Sequence, residues 1–373
     1  TIGMAVDANV LVYERIREEL ESGKSLRASV DLGFARSLPA VLDSNLTTLL
    51  TSIILMYVGT GAVKGFAVTL SIGILSSLFT ALFVTRLIYD YLFRFTKFSK
   101  ITMLTTFRNT KFDFIGNYRK SLVVSALLIA LALVMLFGRG RDILGVDFTG
   151  GTTVTFSYAK QIPQEAVEKA LLGAGYEEPQ VTYKFNLGAG SDEKTPGSGN
   201  GTLEILIRTD LSEKDAGHSP KEAIGELLNR TFPDAKFSGG QESSVGGLIG
   251  WEFTKAAIWA VALSLVGIGL YIAFRFEYTY AMTGVMMLLH DVLIVVGIYL
   301  ACGRTISLSV VAALLTVIGY SINDKVVIFD RIREERKLRP EQPFTGIVDL
   351  SLNQTLSRTV LTSVTTFIVV AVM

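Results

Sequence analysis

Apolar runs of about twenty residues recur along this chain, and each is long enough for a helix to cross the hydrocarbon layer. They cover 122–137, 256–274, 281–301, 306–329 and 359–373. A longer one, 46–92, is interrupted near 59–64 and carries Arg86 and Asp90 towards its end. Inside a bilayer every backbone amide must find a partner within the protein, which leaves helices or closed barrels as the spanning structures. Uninterrupted apolar runs without a two-residue alternation select helices. Composition agrees: half of the 373 residues are hydrophobic, 18% are charged, and mean hydropathy is +0.45. The chain therefore reads as a polytopic α-helical membrane protein. A net charge of +1 points to no nucleic-acid partner, and one cysteine, Cys302, excludes a disulfide framework and a cysteine metal site.

Basic residues set the expected topology. Arg15 and Arg17 end the first segment; Arg94, Lys97, Lys100, Arg108, Lys111, Arg119 and Lys120 fill the loop after the third. Arg331, Arg333, Arg336, Lys337 and Arg339 follow the seventh. With these three regions cytoplasmic, eight helices alternate without conflict: 1–20, 42–60, 64–93, 118–138, 252–274, 279–301, 305–331 and 352–373. Residues 139–250 then lie outside the cytoplasm, as does the short turn 302–307 with its single Arg304.

That outer stretch has a different texture. "GTTVTFSY", "PQVTYKF" and "TLEILIRTD" read as strands, "PQEAVEKALLGAG" and "SPKEAIGELLNRTF" as helices opened by proline, and "AKFSGGQESSV" as a weaker last strand. The order βαββαβ predicts a small ferredoxin-like sandwich, an extracytoplasmic α+β domain. Its "GAGSDEKTPGSGNG" loop opens no helix and lacks the spacing of a phosphate-binding loop, so it reads as a flexible hairpin connection.

The chain also repeats itself. "TIGMAVDANVLVYERIREE" at 1–19 aligns with "VIGYSINDKVVIFDRIREE" at 317–335, and both close on the same five residues. The acids fall one position out of register: Asp7 aligns with Asn323, and Asp324 with Ala8. Similarity resumes where Leu50-Thr51-Ser52 matches Leu361-Thr362-Ser363. These are duplicated helical halves, a transporter design whose working site lies near the repeat interface. The second copy is preceded by two helices, the outer domain and a further helix. An equivalent first half, with its own outer domain, is therefore expected upstream of Thr1.

Counting along the helices from the basic ends places Asp324 about 10 Å and Asp7 about 12 Å into the membrane, with Arg358 about 9 Å deep on a third helix. A lone charge there costs at least about 2.5–3.5 kcal/mol, so such groups pair or work. Burial favours a neutral carboxyl and a nearby guanidinium favours the carboxylate. An acid balanced between the two changes protonation when Arg358 moves, which makes Asp7, Asp324 and Arg358 a candidate proton relay; a structural Asp324–Arg358 ion pair is the simpler alternative. Asn9, Asn323, Lys325 and Thr359 add polar neighbours, with Lys325 placed to pair locally or snorkel. His290-Asp291, a titratable pair inside helix 279–301, is a further candidate. At "DFTGG", Asp147, Gly150 and Gly151 read as a structural turn ahead of the first strand, in preference to a substrate contact. No hydrolytic constellation, nucleotide motif or metal cluster is present, so no cofactor is expected and energy must come from an ion gradient.

"GMAVDANVLVYERIREE" resembles a membrane helix of SecD, and "LGVDFTGGT", "VGGLIGWEFTKAA", "YIAFRFE", "HDV" and "IGYSINDKVVIFDRIREE" resemble SecF. Residues 1–95 look like the last three SecD helices, 96–117 like a cytoplasmic linker, 118–138 like the first SecF helix, 139–250 like its outer domain, and 251–373 like four further SecF helices, which implies the family's final helix beyond Met373. Both are on one chain, as in fused SecDF proteins. The resemblance implies a member of the resistance–nodulation–division superfamily in the bacterial plasma membrane. It implies an accessory of the Sec translocon, not an enzyme, that uses the proton gradient to pull unfolded preproteins from the outer side. It also implies that Asp7, Asp324 and Arg358 carry the proton path. The competing class is a proton-coupled exporter of small molecules or lipids, against which the small outer domain argues: it can offer an edge or groove to a peptide but encloses little.

Overall fold

The computed structural model describes residues 2–59, 61–96, 110–176, 179–185, 201–207, 219–245 and 247–372. It divides into two compact units, the first formed by 1–130, 260–294 and 312–373, the second by 131–259 and 295–311. The hairpin loop 188–201 and His218 fall outside the described residues apart from Gly201.

The first unit is helical. Its elements are α1 (Ile2–Glu21), α2 (Leu26–Val58), α3 (Gly61–Phe79) and α4 (Thr85–Phe95), with a π-helical turn Thr80–Val84 joining the last two. To these are added most of α5 (Tyr118–Gly138), α9 (Gly247–Arg275), α10 (Tyr278–Ala301), α11 (Leu308–Leu338) and all of α12 (Phe344–Val372). Among the described residues, seven helical spans are long and apolar enough to cross a membrane, α3 and α4 counting as one. α1 is not among them, because Glu14, Arg15, Arg17 and Glu18 crowd its second half. Leucines, valines and phenylalanines of α3, α4 and α5 stand exposed, the surface that lipid covers in a spanning bundle.

Two helices start earlier than the sequence implies. α2 begins at Leu26, where Ser25 supplies the N-cap and Pro39 is carried inside the helix, and α12 begins at Phe344. The extra turns of α2 are amphipathic, so an apolar-window reading passes over them. Val30, Phe34 and Val41 bury against Leu11, Val12 and Ile16 of α1. The approach is closest at Gly33, where a Cβ would lie 2.9 Å from the Ile16 Cα. Part of the connection 96–117 is also held: Asn353 of α12 exchanges bonds with Phe112 (2.9 and 2.8 Å), and Asp349 accepts from the Phe114 amide at 2.8 Å.

The second unit holds the α+β domain: a one-turn helix α6 (Val146–Thr149), β1 (Gly151–Ser157), α7 (Gln164–Gly173), β2 (Gln180–Phe185), β3 (Gly201–Ile207), α8 (Pro220–Thr231) and β4 (Glu242–Val245). Its strands form one antiparallel sheet in the order β2-β3-β1-β4. This is the predicted βαββαβ sandwich. Val154 and Phe156 of β1 alternate inward onto Val167, Leu171, Ile224 and Leu228 of the two helices, the period of two that a one-sided sheet requires. The unit is wider than the sequence boundary 139–250, because it includes the nearby ends of α5, α9, α10 and α11. Gly150 (φ 74°) and Gly151 (φ 120°) turn the chain into β1. Asp147 Oδ2 accepts from the Leu308 amide at 2.8 Å, capping the start of α11, and Gly145 and Ile306 are joined by a 2.8 Å backbone bond. The "DFTGG" segment is thus a turn that fastens the sheet to the first residue of α11.

Candidate functional site

α1 and α11 make reciprocal contacts at their charged ends. Arg15 binds Glu334 at 3.1 Å, and Arg331 approaches Glu18 at 3.6 Å. Under the sequence repeat Arg15 corresponds to Arg331 and Glu18 to Glu334, so the contacts are reciprocal, as symmetry demands of an isologous interface. Glu19 and Glu335, also equivalent, are both buried. Glu19 is matched by Lys24 and Arg36, and Glu335 by Arg331 and Arg339.

Deeper in the bundle the symmetry breaks, and the charges sit there. Asp7 (5% exposed) accepts from Arg358 (3% exposed) at 3.2 Å. The position equivalent to Asp7 is Asn323, which makes a neutral contact instead. Oriented by its neighbours, its amide donates to the Ser44 carbonyl at 2.7 Å and to the Gly319 carbonyl at 3.1 Å. Thr48 donates to the same Gly319 carbonyl at 2.8 Å. One side of the repeat interface therefore carries an ion pair and the other a set of uncharged hydrogen bonds.

Arg358 pairs with Asp7, not with Asp324. The sequence places all three at one depth, and the ion pair it suggests, Asp324–Arg358, is replaced in the structure by Asp7–Arg358. Asp324 is part-buried and makes no hydrogen bond or ion pair among the described residues, while Arg358, Asp7 and Lys325 supply the charges that act on it. Arg358 Nε is buried without a partner, as is Asn9 Oδ1. Thr359 shows only a bond local to α12, its carbonyl accepting from Thr362. Lys325, buried at 8% exposure, acts on Asp324 through its charge but makes its bonds elsewhere. One residue along a helix is a rotation of about 100°, and that rotation turns Lys325 away to α10.

There the structure brings His290 and Asp291 into play. Asp291 Oδ2 accepts from Lys325 Nζ at 2.6 Å and from Ser321 Oγ at 2.5 Å. Its Oδ1 lies 3.1 Å from His290 Nδ1, and His290 Nε2 lies 2.5 Å from Ser125 Oγ on α5. The sequence singled out the His-Asp pair and Lys325 separately; their partnership, and Ser125 and Ser321 within it, needed helix azimuths. Sequence reasoning misses a further, part-buried ion pair: Asp43 on α2 accepts from Arg275 and Tyr271 of α9, each at 2.8 Å. Its signal was an acid inside the apolar segment expected from residue 42.

The family described as "Protein export membrane protein SecD/SecF, C-terminal" matches residues 1–94 and 224–373. The chain belongs to the SecD/SecF protein-export family. Among SecD/SecF relatives, the protein translocase subunit SecDF of Thermus thermophilus is 35% identical over 98% of this chain and 47% of its own length. That of Brucella abortus is 34% identical over 99% and 47%. A Rhodothermus marinus protein translocase subunit SecF is 35% identical over 72% of this chain and 82% of its own length. The crystal structure of Thermus thermophilus SecDF, titled a translocon-associated membrane protein, superposes with a TM-score of 0.81. The chain spans about half the length of the SecDF relatives it matches.

Proposed function

We propose that this chain is part of a proton-motive-force-driven accessory of the Sec machinery, in which Asp324 takes up and releases the coupling proton beside the Asp7–Arg358 pair. One observation carries the reading: the charges gathered among these helices, buried and part-buried, do not balance. Asp7, Asp291 and Asp324 stand against Arg358 and Lys325, and Asp324 is the carboxylate without a bonded cation. An unpaired charge in a low-dielectric bundle is costly enough that the excess is relieved by a proton. Arg358, with one donor on Asp7 and its Nε unsatisfied, has donors free to turn towards Asp324 when that acid ionises.

α11 is the element that carries the event outward. Asp324 lies sixteen residues, about 24 Å of helix, from Leu308, whose amide Asp147 caps. A shift of α11 is felt at the joint from which the sheet begins. One proton crossing 100 mV supplies about 2.3 kcal/mol, enough to bias two domain orientations and far below the stability of a folded cargo. The motor therefore works by repeated small displacements on unfolded preprotein delivered by the translocon, with the sheet domain on the outer, periplasmic side of the plasma membrane. SecD/SecF relatives are named protein translocase subunits, which supports the assignment to export.

The test is export of a preprotein into vesicles carrying the full-length protein, with and without a proton gradient. Asp324→Asn and Arg358→Leu should each insert normally and lose the gradient-stimulated component. Wild-type stimulation in both variants would overturn the proposal.

A further inference from the structure

We propose that His290 is a second proton station, alternative to Asp324, and that the two compete through Lys325. The inference rests on the proton-coupled reading above and extends it to the residues packed on the far side of α11.

Bond directions at this cluster follow from donor and acceptor chemistry. Asp291 is paired with Lys325 at 2.6 Å and so is ionised, an acceptor only. His290 Nδ1, 3.1 Å from Asp291 Oδ1, must then carry the hydrogen, which leaves Nε2 bare to accept from Ser125. A proton arriving at Nε2 reverses that last bond, so that the imidazolium donates to Ser125 Oγ. Nothing else needs to move. His290 is 37% exposed on α10, whereas Asp324 on α11 feels the charges of Arg358 and Asp7.

Charge counting makes them exclusive. The charged groups around the two stations are Asp291 on α10 and Lys325 on α11 at His290, and Asp7 on α1 and Arg358 on α12 at Asp324; Glu14 on α1, also acted on by Arg358, is paired with Arg17. The described part of α5 presents Ser125 at His290. The remaining three carboxylates and two cations leave a charge of −1, which a single proton cancels on either Asp324 or His290. When His290 holds it, Asp291 gains a cation of its own on Oδ1. Lys325, adjacent to Asp324 in the chain and already acting on it, then serves as the counter-charge of ionised Asp324. When Asp324 holds the proton, Lys325 belongs to Asp291. The lysine is thus the shared counter-ion that links the stations without carrying a proton itself.

The test is a histidine titration by nitrogen-15 solid-state NMR on the full-length protein in lipid bilayers, with the signal assigned by its loss in His290→Gln. Wild-type spectra recorded between about pH 8 and 5 should show the imidazole gaining a proton. Asp324→Asn, which removes the excess negative charge, should weaken its proton affinity at least tenfold. Lys325→Met, which deepens the excess, should strengthen it at least tenfold. An imidazole that never gains a proton in that range, or one indifferent to Asp324→Asn, would overturn the inference whatever export does. Conversely, a coupled titration together with undiminished gradient-stimulated export by Asp324→Asn would leave two linked sites and sink the motor reading instead.

Discussion

Removing Arg358 should be far more damaging than removing both members of its pair. Arg358→Leu leaves Asp7, 5% exposed, facing no cation in a buried site, and Asp324 loses the same counter-charge. Breaking a buried pair from one side costs about 3–5 kcal/mol, most of it the price of the stranded partner. The bond itself is a single charge-assisted contact at 3.2 Å, with Nε unused, worth about 1.5–3 kcal/mol. Asp7→Asn added to Arg358→Leu takes away the stranded charge, and the double variant should recover about that amount. The assay is a double-mutant cycle on full-length protein, unfolded by SDS in mixed micelles and followed by circular dichroism. If the single losses simply add to within about 0.5 kcal/mol, Asp7 is not the partner of Arg358 and the site described here is wrong.

Three further outcomes follow from the packing. Gly33→Leu should destabilise the helical unit by at least about 1–3 kcal/mol, since any side chain there meets the Ile16 backbone; an unchanged SDS midpoint contradicts the α1–α2 crossing. Asp147→Ala should cost about 0.5–2 kcal/mol through the lost cap and speed amide exchange at Leu308, while exchange that stays slow there would show the cap to be idle. Arg15→Glu should weaken the bundle by at least about 0.2–1 kcal/mol, because it removes the cation shared by Glu18 and Glu334 and adds a carboxylate beside them; an unchanged SDS midpoint would remove the reciprocal contact.

The sheet domain could be read directly from the sequence because its signals are local. Strand alternation in "GTTVTFSY", proline at the helix starts and glycine at the turns each act within a few residues, and their order determines the sandwich. Depth in the membrane could also be counted, which put Asp7, Asp324 and Arg358 at one level. Azimuth could not. Whether Arg358 meets Asp7 or Asp324, and whether Lys325 faces them or α10, depends on how helices far apart in sequence rotate against one another. The early start of α2 escaped for a related reason: its first turns are amphipathic and stay helical by packing on α1. The repeat was visible, and its reciprocal pairs Arg15–Glu334 and Arg331–Glu18 follow from it. That the symmetry would break at Asp7 and Asn323 was foreshadowed only by the one-residue offset of the acids.

The central claim is that Asp324 carries a coupling proton, and proton current tests it most directly. Full-length protein in planar bilayers or patched spheroplasts, recorded while the pH on the outer side is varied, should pass a pH-dependent current in the wild type. That current should be absent in Asp324→Asn and in Arg358→Leu. A current of wild-type size and pH dependence in Asp324→Asn would contradict the account.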